Sequence, residues 1–361
     1  MMRNTVTTLL AASLLAMPTL ARAQAPRTQG RGTQVQPAPR VVVERQRGRA
    51  RVEQRDNRAA QTERLTHTFG IGGSGALQVS NITGDITITR GGGNEVRVEA
   101  VKTARAATEA LAREALPTVR VDFTERAGRA EVRTIYPAQH FTRGNQRNAV
   151  GVSVAYNITA PEGTRIHVKS ISGDISVKGI RGELSVASTS GDIGVFEAAR
   201  LVSASSISGD VEVGDLRSET PLELHTTSGD LIVRQSRMPR LELNTVSGSV
   251  VMDNVQAQGI EAQSLSGDLE FASPFAKGGR YELNSHSGDV RISLVGGSGF
   301  ELNANSFSGD VQSAVELKER TTGLRDAARG GRTRRLRGTY GDGSALLDVT
   351  TFSGSVTITK K

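Results

Sequence analysis

Cysteine is absent from this sequence, so no disulfide framework, thiolate metal site or lipid-modified N-terminal Cys is available to it. Tryptophan is absent too, and there are only four tyrosines, which leaves few platforms on which a sugar ring could stack. The five histidines, His67, His140, His167, His225 and His286, include no pair spaced i, i+4. No two of them share an offset that stacking would bring together, so a histidine metal triad is excluded. Beyond the first residues no segment approaches the roughly 20 apolar residues that a membrane-spanning helix requires.

What is present begins with an export signature. MMRNTVTTLLAASLLAMPTLARA carries one early charge at Arg3, an apolar stretch from Leu9 to Leu20, and small residues at Ala21 and Ala23. This reads as a secretory signal cut after Ala23. The formal charge of +8 is unevenly placed. Residues 24–66 hold ten Arg against four acids, and residues 312–345 hold eight Lys or Arg against four acids. With the signal's Arg3 and Arg22 set aside, the rest of the chain is mildly acidic. Residues 24–66, rich in Arg, Gln and Pro, lack the apolar periodicity needed to bury surface and read as a disordered basic tether. Export argues against nucleic acid as its partner and favours anionic lipid or envelope polymer.

The body of the chain is a repeat. A Ser-Gly-Asp turn recurs with its glycine at Gly173, Gly191, Gly209, Gly229, Gly248, Gly267, Gly288 and Gly309, in steps of 18, 18, 20, 19, 19, 21 and 21 residues, and Gly84 and Gly354 are outlying copies. A near-fixed period of this size marks a stacked solenoid. Seven residues before each glycine stands an apolar residue, from Leu77, Ile166 and Leu184 through Val202 to Leu347; five before stands another, such as Val186, Leu224 or Leu243. Three before is always Ser, Thr or Asn, and two after is always Ile, Val or Leu. Alternation on both sides of a glycine predicts two short strands per repeat with one face inward. The glycine itself is expected to supply a positive φ. A third short segment is expected near seven residues past the turn, at Ile180, Ala198, Leu216, Val255 and Val295. Coils stack about 4.8 Å apart through parallel ladders.

Ends of such a stack need covers. Val101 to Leu116 has helix-favouring, Ala-rich composition, and strands are expected around 119–123, 130–136 and 150–158; together they read as an N-terminal cap. Lys360 and Lys361 leave a charged edge. The expected organisation is a signal peptide (1–23), a basic tether (24–66), a first rung with the α+β cap (67–165), the regular solenoid (166–311), an Arg-rich loop (312–345) and a terminal rung (346–361). The fold class is all-β: a single-stack parallel β-solenoid, right-handed because crossovers between parallel strands take that hand.

The order of signal, first rung at Thr83-Gly84-Asp85, helix and strands, tandem S-G-D rungs and the closing GDGSALLDVTTFSGSVTI resembles the bacterial putative-adhesin family of β-strand-repeat proteins, domain of unknown function 4097. The resemblance covers roughly Leu65 to Ile358. It implies a β-solenoid exported to the periplasm or beyond, acting at the cell envelope as an adhesin or scaffold. Ser249 and Ser355 replace the usual Asp, which weakens any chemical requirement for that acid.

Several motifs suggest chemistry and fail on context. The Asp column, Asp174, Asp192, Asp210, Asp230, Asp268, Asp289 and Asp310, is a candidate calcium ladder, since Ca²⁺ takes six to eight oxygens. The plainer expectation is that each Asp accepts hydrogen bonds from turn N–H groups. The same column imitates the paired carboxyls of a glycosidase, but any stack of acids does so, and no rung carries a distinct acid, base and aromatic cluster. Gly70, Gly72 and Gly75 match a dinucleotide fingerprint but precede a strand instead of a helix. The arginines Arg329, Arg332, Arg334, Arg335 and Arg337 are candidates for contact with phosphate or uronate groups of an envelope polymer. The sequence therefore reads as a non-enzymatic scaffold with no cofactor; a calcium-dependent scaffold, a polysaccharide-active enzyme and an envelope-stress component are the alternatives.

Overall fold

In the computed structural model, described for residues 58–137, 150–322 and 334–360, each Ser-Gly-Asp repeat contributes one strand to each of two extended mixed sheets. The chain divides into two units, Met1–Arg55 and Asp56–Lys361, and all described residues belong to the second. The signal peptide, residues 24–57 of the tether, His140, Arg329 and Arg332 lie outside the described residues.

The strand before each turn joins a sheet of 14 strands and the strand after it joins a sheet of 13. Successive repeats pair in parallel and in register: Leu224 lies between Ala204 and Leu243, and Leu231 between Val211 and Val250. Both sheets turn their apolar residues inward. Leu222, Leu224, Leu241, Leu243, Leu231 and Val250 are all fully buried. Replacing Leu224 with Ala is expected to cost about 2 to 5 kcal/mol, because the two flanking strands hold the cavity open. Chemical denaturation measures this, and an unchanged midpoint would contradict the inward register.

One position departs from that register. Val202 was expected inside, seven residues before Gly209, yet it is 40 % exposed and Leu201 is buried instead. A bulge places Leu184 opposite Leu201 and Ser185 opposite Ser203, so the strand gains a residue and the larger aliphatic group takes the interior. The expected third segment is also different in kind. Ile180, Ala198, Leu216 and Val255 are buried, but Val295 is 38 % exposed, and no strand forms there. Neighbouring rungs are joined on that side by isolated bridges such as Arg217 to Arg237 and Arg237 to Gln256. The corner leading to it is left-handed at Gly179, Glu197, Asp215, Gln235 and Asn254, with φ between 48° and 76°.

The N-terminal end differs from expectation in two places. Ala59–Phe69, the first eight residues of which were assigned to the tether, is a strand that pairs antiparallel with Val96–Ala106. The expected helix over Val101 to Leu116 begins only at Glu109 and ends at Ala115, capped by the Thr108 hydroxyl. Residues 96–106 alternate in burial with period two, and cross-strand pairing outweighs their helix propensity. Lys102 falls on a buried phase of that strand. Its ammonium lies 2.6 Å from Glu63 and donates to the carbonyls of Leu116 and Val119. The three strands expected beyond the helix are found at Arg120–Arg126, Arg129–Ile135 and Gly151–Pro161.

The C-terminal end is rearranged more deeply. The rung expected to be terminal is not terminal in space. Ala345–Thr351 inserts between Arg280–Ser285 and Phe300–Ser306, and Val356–Lys360 inserts between Val290–Leu294 and Val311–Ser313. The rungs therefore run Gly267, Gly288, Gly354, Gly309. Lys360 pairs with Leu294 on one side, and the edge strand of this sheet is Val311–Ser313 instead of the strand that carries Lys360; Lys361 lies outside the described residues. The Gly309 rung is instead covered by the antiparallel strand Arg335–Tyr340, which pairs in turn with Lys318–Thr322.

Candidate binding groove

The turn residues are committed to the stack. A Cβ on Gly191, Gly209, Gly229, Gly248, Gly267 or Gly288 would overlap the carbonyl oxygen of the glycine one rung earlier. Positive φ in the left-handed range occurs in this column only at Gly84, Gly173 and Gly191. Close approach of backbones, more than the expected dihedral, is what excludes side chains here.

The Asp column is used in the same direction. Oδ1 of Asp174 accepts the N–H of Asp192 at 3.1 Å, Asp192 accepts from Asp210 at 2.9 Å, Asp210 from Asp230 at 2.9 Å, and Asp230 from Ser249 at 2.8 Å. Asp268 and Asp289 do the same for Asp289 and Ser355, each at 2.9 Å. These bonds cross between rungs, whereas the sequence suggested bonds within each turn. From Ser206 onward, hydroxyls three residues before the glycine donate to glycine carbonyls of the neighbouring rung, as Thr226 does to Gly209 at 3.1 Å and Ser264 to Gly248 at 3.2 Å, whereas those of Ser170 and Ser188 are buried without a partner. Among the described residues no group of three or more His, Cys, Asp or Glu side chains is placed to hold a metal ion.

Arg291 reinforces one step of this ladder. Its guanidinium lies 2.8 Å from Asp268, 3.2 Å from Asp289 and 3.3 Å from Glu270. Partial burial by itself raises the Asp268 pKa, but the Asp289 N–H and the Arg291 guanidinium outweigh it and hold the carboxyl below its ordinary value. A carboxyl depressed in the folded state contributes stability above its unfolded pKa and loses it as pH falls through the folded value. Arg291→Met is therefore expected to be less stable than the parent at pH 7, with the difference narrowing once the pH falls below the ordinary Asp value of about 3.9 and closing as Asp268, held lower, is protonated. Urea denaturation at both pH values checks it, and a difference that is independent of pH would contradict the assignment.

With the turns occupied by the stack, the groups left for a ligand lie on the outer face of the larger sheet. A groove of about 880 Å³ runs along it across six rungs, from Gly229 to Gly309. Four residues before each turn stand His225, Asn244, Gln263, Asn284, Thr350 and Asn305, adjacent from strand to strand. Carboxylates two residues earlier orient the amides. Asn244 donates to Glu242, Gln263 to Glu261 and Asn284 to Glu282, at 2.9 to 3.0 Å. The carboxylates form their own file, Glu223, Glu242, Glu261, Glu282 and Asp348, on successive strands.

The other wall is apolar. Two residues before the turn, Val246, Leu265, Phe352 and Phe307 are between 41 % and 66 % exposed. At the Gly309 end three rings stack in parallel: His286 on Phe352 at 4.9 Å and Phe352 on Phe307 at 4.7 Å. Of the five candidate arginines, Arg334 and Arg335 line this end. Arg335 donates to Asn305 at 2.7 Å, and Arg337 to Asn303 at 3.0 Å. Sequence reasoning missed the ring stack because Phe352 and Phe307 are 45 residues apart, and only the inserted rung makes them neighbours. The signal that was available is the apolar residue two places before seven of the ten turns, on a phase that should face water.

The profile of the family described as Toastrack DUF4097 matches residues 75–359 of the chain. No curated protein matches the sequence. Among solved structures, a putative adhesin from Bacteroides fragilis NCTC 9343 is 13 % identical over 83 % of this chain and 97 % of its own, with a TM-score of 0.39. A putative lipid binding protein from Parabacteroides distasonis ATCC 8503 is 11 % identical with the same coverages and a TM-score of 0.39. A putative cell adhesion protein from Clostridium sporogenes ATCC 15579 is 10 % identical over 83 % of this chain and all of its own, with a TM-score of 0.19. Similarities of this size carry no argument about a shared ligand.

Proposed function

The chain belongs to the Toastrack DUF4097 family, and we propose that it is an exported, non-catalytic scaffold of adhesin type that binds a component of the bacterial cell envelope. The observation that carries this reading is the division of labour between the two kinds of surface. The turn column, which alone repeats strictly enough to suggest chemistry, spends one oxygen of each of these Asp side chains and most of its hydroxyls on neighbouring rungs, while the outer sheet face keeps a long amphipathic groove. A stack so cross-linked is a stiff support for an extended contact surface.

We read the two sheets as opposite walls of a single-stack, right-handed parallel solenoid whose helix and antiparallel strands cap the N-terminal end. The identical rung order in both sheets supports this. The Asp column is architectural in this reading, so the melting temperature is indifferent to EDTA. Export to the periplasm or the cell surface follows from the N-terminal signal sequence, and no helix among the described residues is long and apolar enough to cross a membrane.

Sedimentation of the full chain with washed bacterial envelope fragments tests the reading. The protein should pellet with the fragments at low salt, and the double variant Phe307→Ser, Phe352→Ser should remain in the supernatant. A parent protein that stays soluble in their presence would refute it.

A further inference from the structure

We infer that the groove takes an extended, uncharged, hydroxyl-rich glycan lying lengthwise along the stack, with about one sugar per rung. The inference rests on the binding reading above and names the chemical class of its ligand.

The first argument is spacing. Groups along the groove recur once per strand, about 4.8 Å apart, whereas an extended peptide advances only about 3.3 Å per residue. A peptide laid along this face sets three residues to two rungs and, because its side chains alternate, presents the same face in register only at about every fourth rung. A chain of pyranose units, each roughly one rung long, sets one unit against each rung with a mismatch of only a few tenths of an ångström per step.

The second argument is the kind of group offered. A carboxamide both donates and accepts, and the paired hydroxyls of a sugar need both. Each of Asn244, Gln263 and Asn284 spends one N–H on the carboxylate two residues before it, which leaves the second N–H and the amide oxygen for a ligand. The carboxylate also restricts the amide's rotation, so little side-chain entropy remains to be lost on binding. On the opposite wall Val246, Leu265 and the edges of Phe352 and Phe307 offer apolar contact to the C–H faces of a sugar ring.

The third argument is charge. The file from Glu223 to Asp348 borders the amides along five strands, and although Arg240 pairs with Glu261, a polyuronate or phosphate-rich polymer placed beside it would meet like charge at the other four steps. That outweighs the pull of Arg334 and Arg335, which stand only at the Gly309 end, where Arg335 is already joined to Asn305. The chain's overall positive charge suggests an anionic ligand; the charge local to the groove selects a neutral one.

The test is isothermal titration of the full chain with dimers and hexamers of three neutral β-linked series, glucose, mannose and N-acetylglucosamine, and with hexagalacturonate. At least one neutral hexamer should bind, about tenfold or more tighter than its dimer, since the added sugars reach further rungs. It should also bind more tightly than the uronate. The double variant Gln263→Ala, Asn284→Ala, at exposed or half-exposed positions, should keep the parent's melting temperature and weaken the hexamer about tenfold or more. Equal affinity for dimer and hexamer, a preference for the uronate, or no binding of any neutral hexamer at millimolar concentration would each overturn the inference. So would a self-association, seen by sedimentation velocity, that disappears in Phe307→Ser; this would assign the groove to a second copy. Continued pelleting with envelope fragments alongside failure of the glycan panel would leave the binding reading intact and remove only this inference.

Discussion

Gly248→Ala should unfold this protein at a much lower denaturant concentration than the parent, with a loss of about 3 kcal/mol or more, because overpacking against backbone leaves no side chain free to move aside. The new methyl would overlap the carbonyl oxygen of Gly229 and stand 2.5 Å from its carbon and 3.3 Å from the Asp230 nitrogen. Relief requires adjacent rungs to part. Parting also lengthens the Asp230 to Ser249 bond and the Thr245 to Gly229 bond, so two hydrogen bonds are disturbed by one carbon. Gly92→Ala is the control: nothing stands within 4 Å of a Cβ there, and its stability should change by no more than about 0.5 kcal/mol. Equal melting temperatures for Gly248→Ala and the parent would show that rungs do not approach as closely as described.

Removing residues 345–361 should have a still larger effect, confined to one end. The deleted rung buries Leu347, Val349, Val356 and Ile358, which together contribute on the order of 6 to 12 kcal/mol of burial. Its loss also separates the Gly288 and Gly309 rungs, each of which pairs with it on both sheets. Because rungs interact only with neighbours, the damage should stop near the Gly267 rung. Hydrogen exchange measured by mass spectrometry should show Phe300–Ser306 unprotected while strands such as Leu222–Ser228 keep their protection. Intact protection of Phe300–Ser306 would contradict the inserted arrangement. The ring stack of His286, Phe352 and Phe307 would be lost as well, so the truncated chain should also fail to pellet with envelope fragments.

The same contrast separates what was legible in the sequence from what was not. Leu224 and Leu231 could be assigned to the interior from their offsets alone, since a strand's period of two admits one inward phase. Val202 could not, because a bulge adds a residue without leaving a trace in the turn spacing. Residues 101–106 read as the start of a helix: Ala-rich composition speaks for local propensity, and the partner strand that overrides it lies at residues 59–69. In the groove, Asn244, Gln263 and Asn284 share one offset from the turn, but that offset carries no meaning in the sequence without the carboxylates that hold them and the apolar wall that faces them.

Sequence alone determined the repeating unit, the inward faces and the need for glycine at every corner, because period, alternation and the smallness of a side chain are local properties repeated many times. Tertiary structure alone decided why that glycine is needed, by setting one backbone against the next, and where the final rung goes. Strand insertion is a long-range choice: the hydrogen-bonding edges of all these rungs are alike, so the order in which they stack is fixed by packing over the whole sheet and not by any one strand's residues. That choice creates the groove's aromatic end.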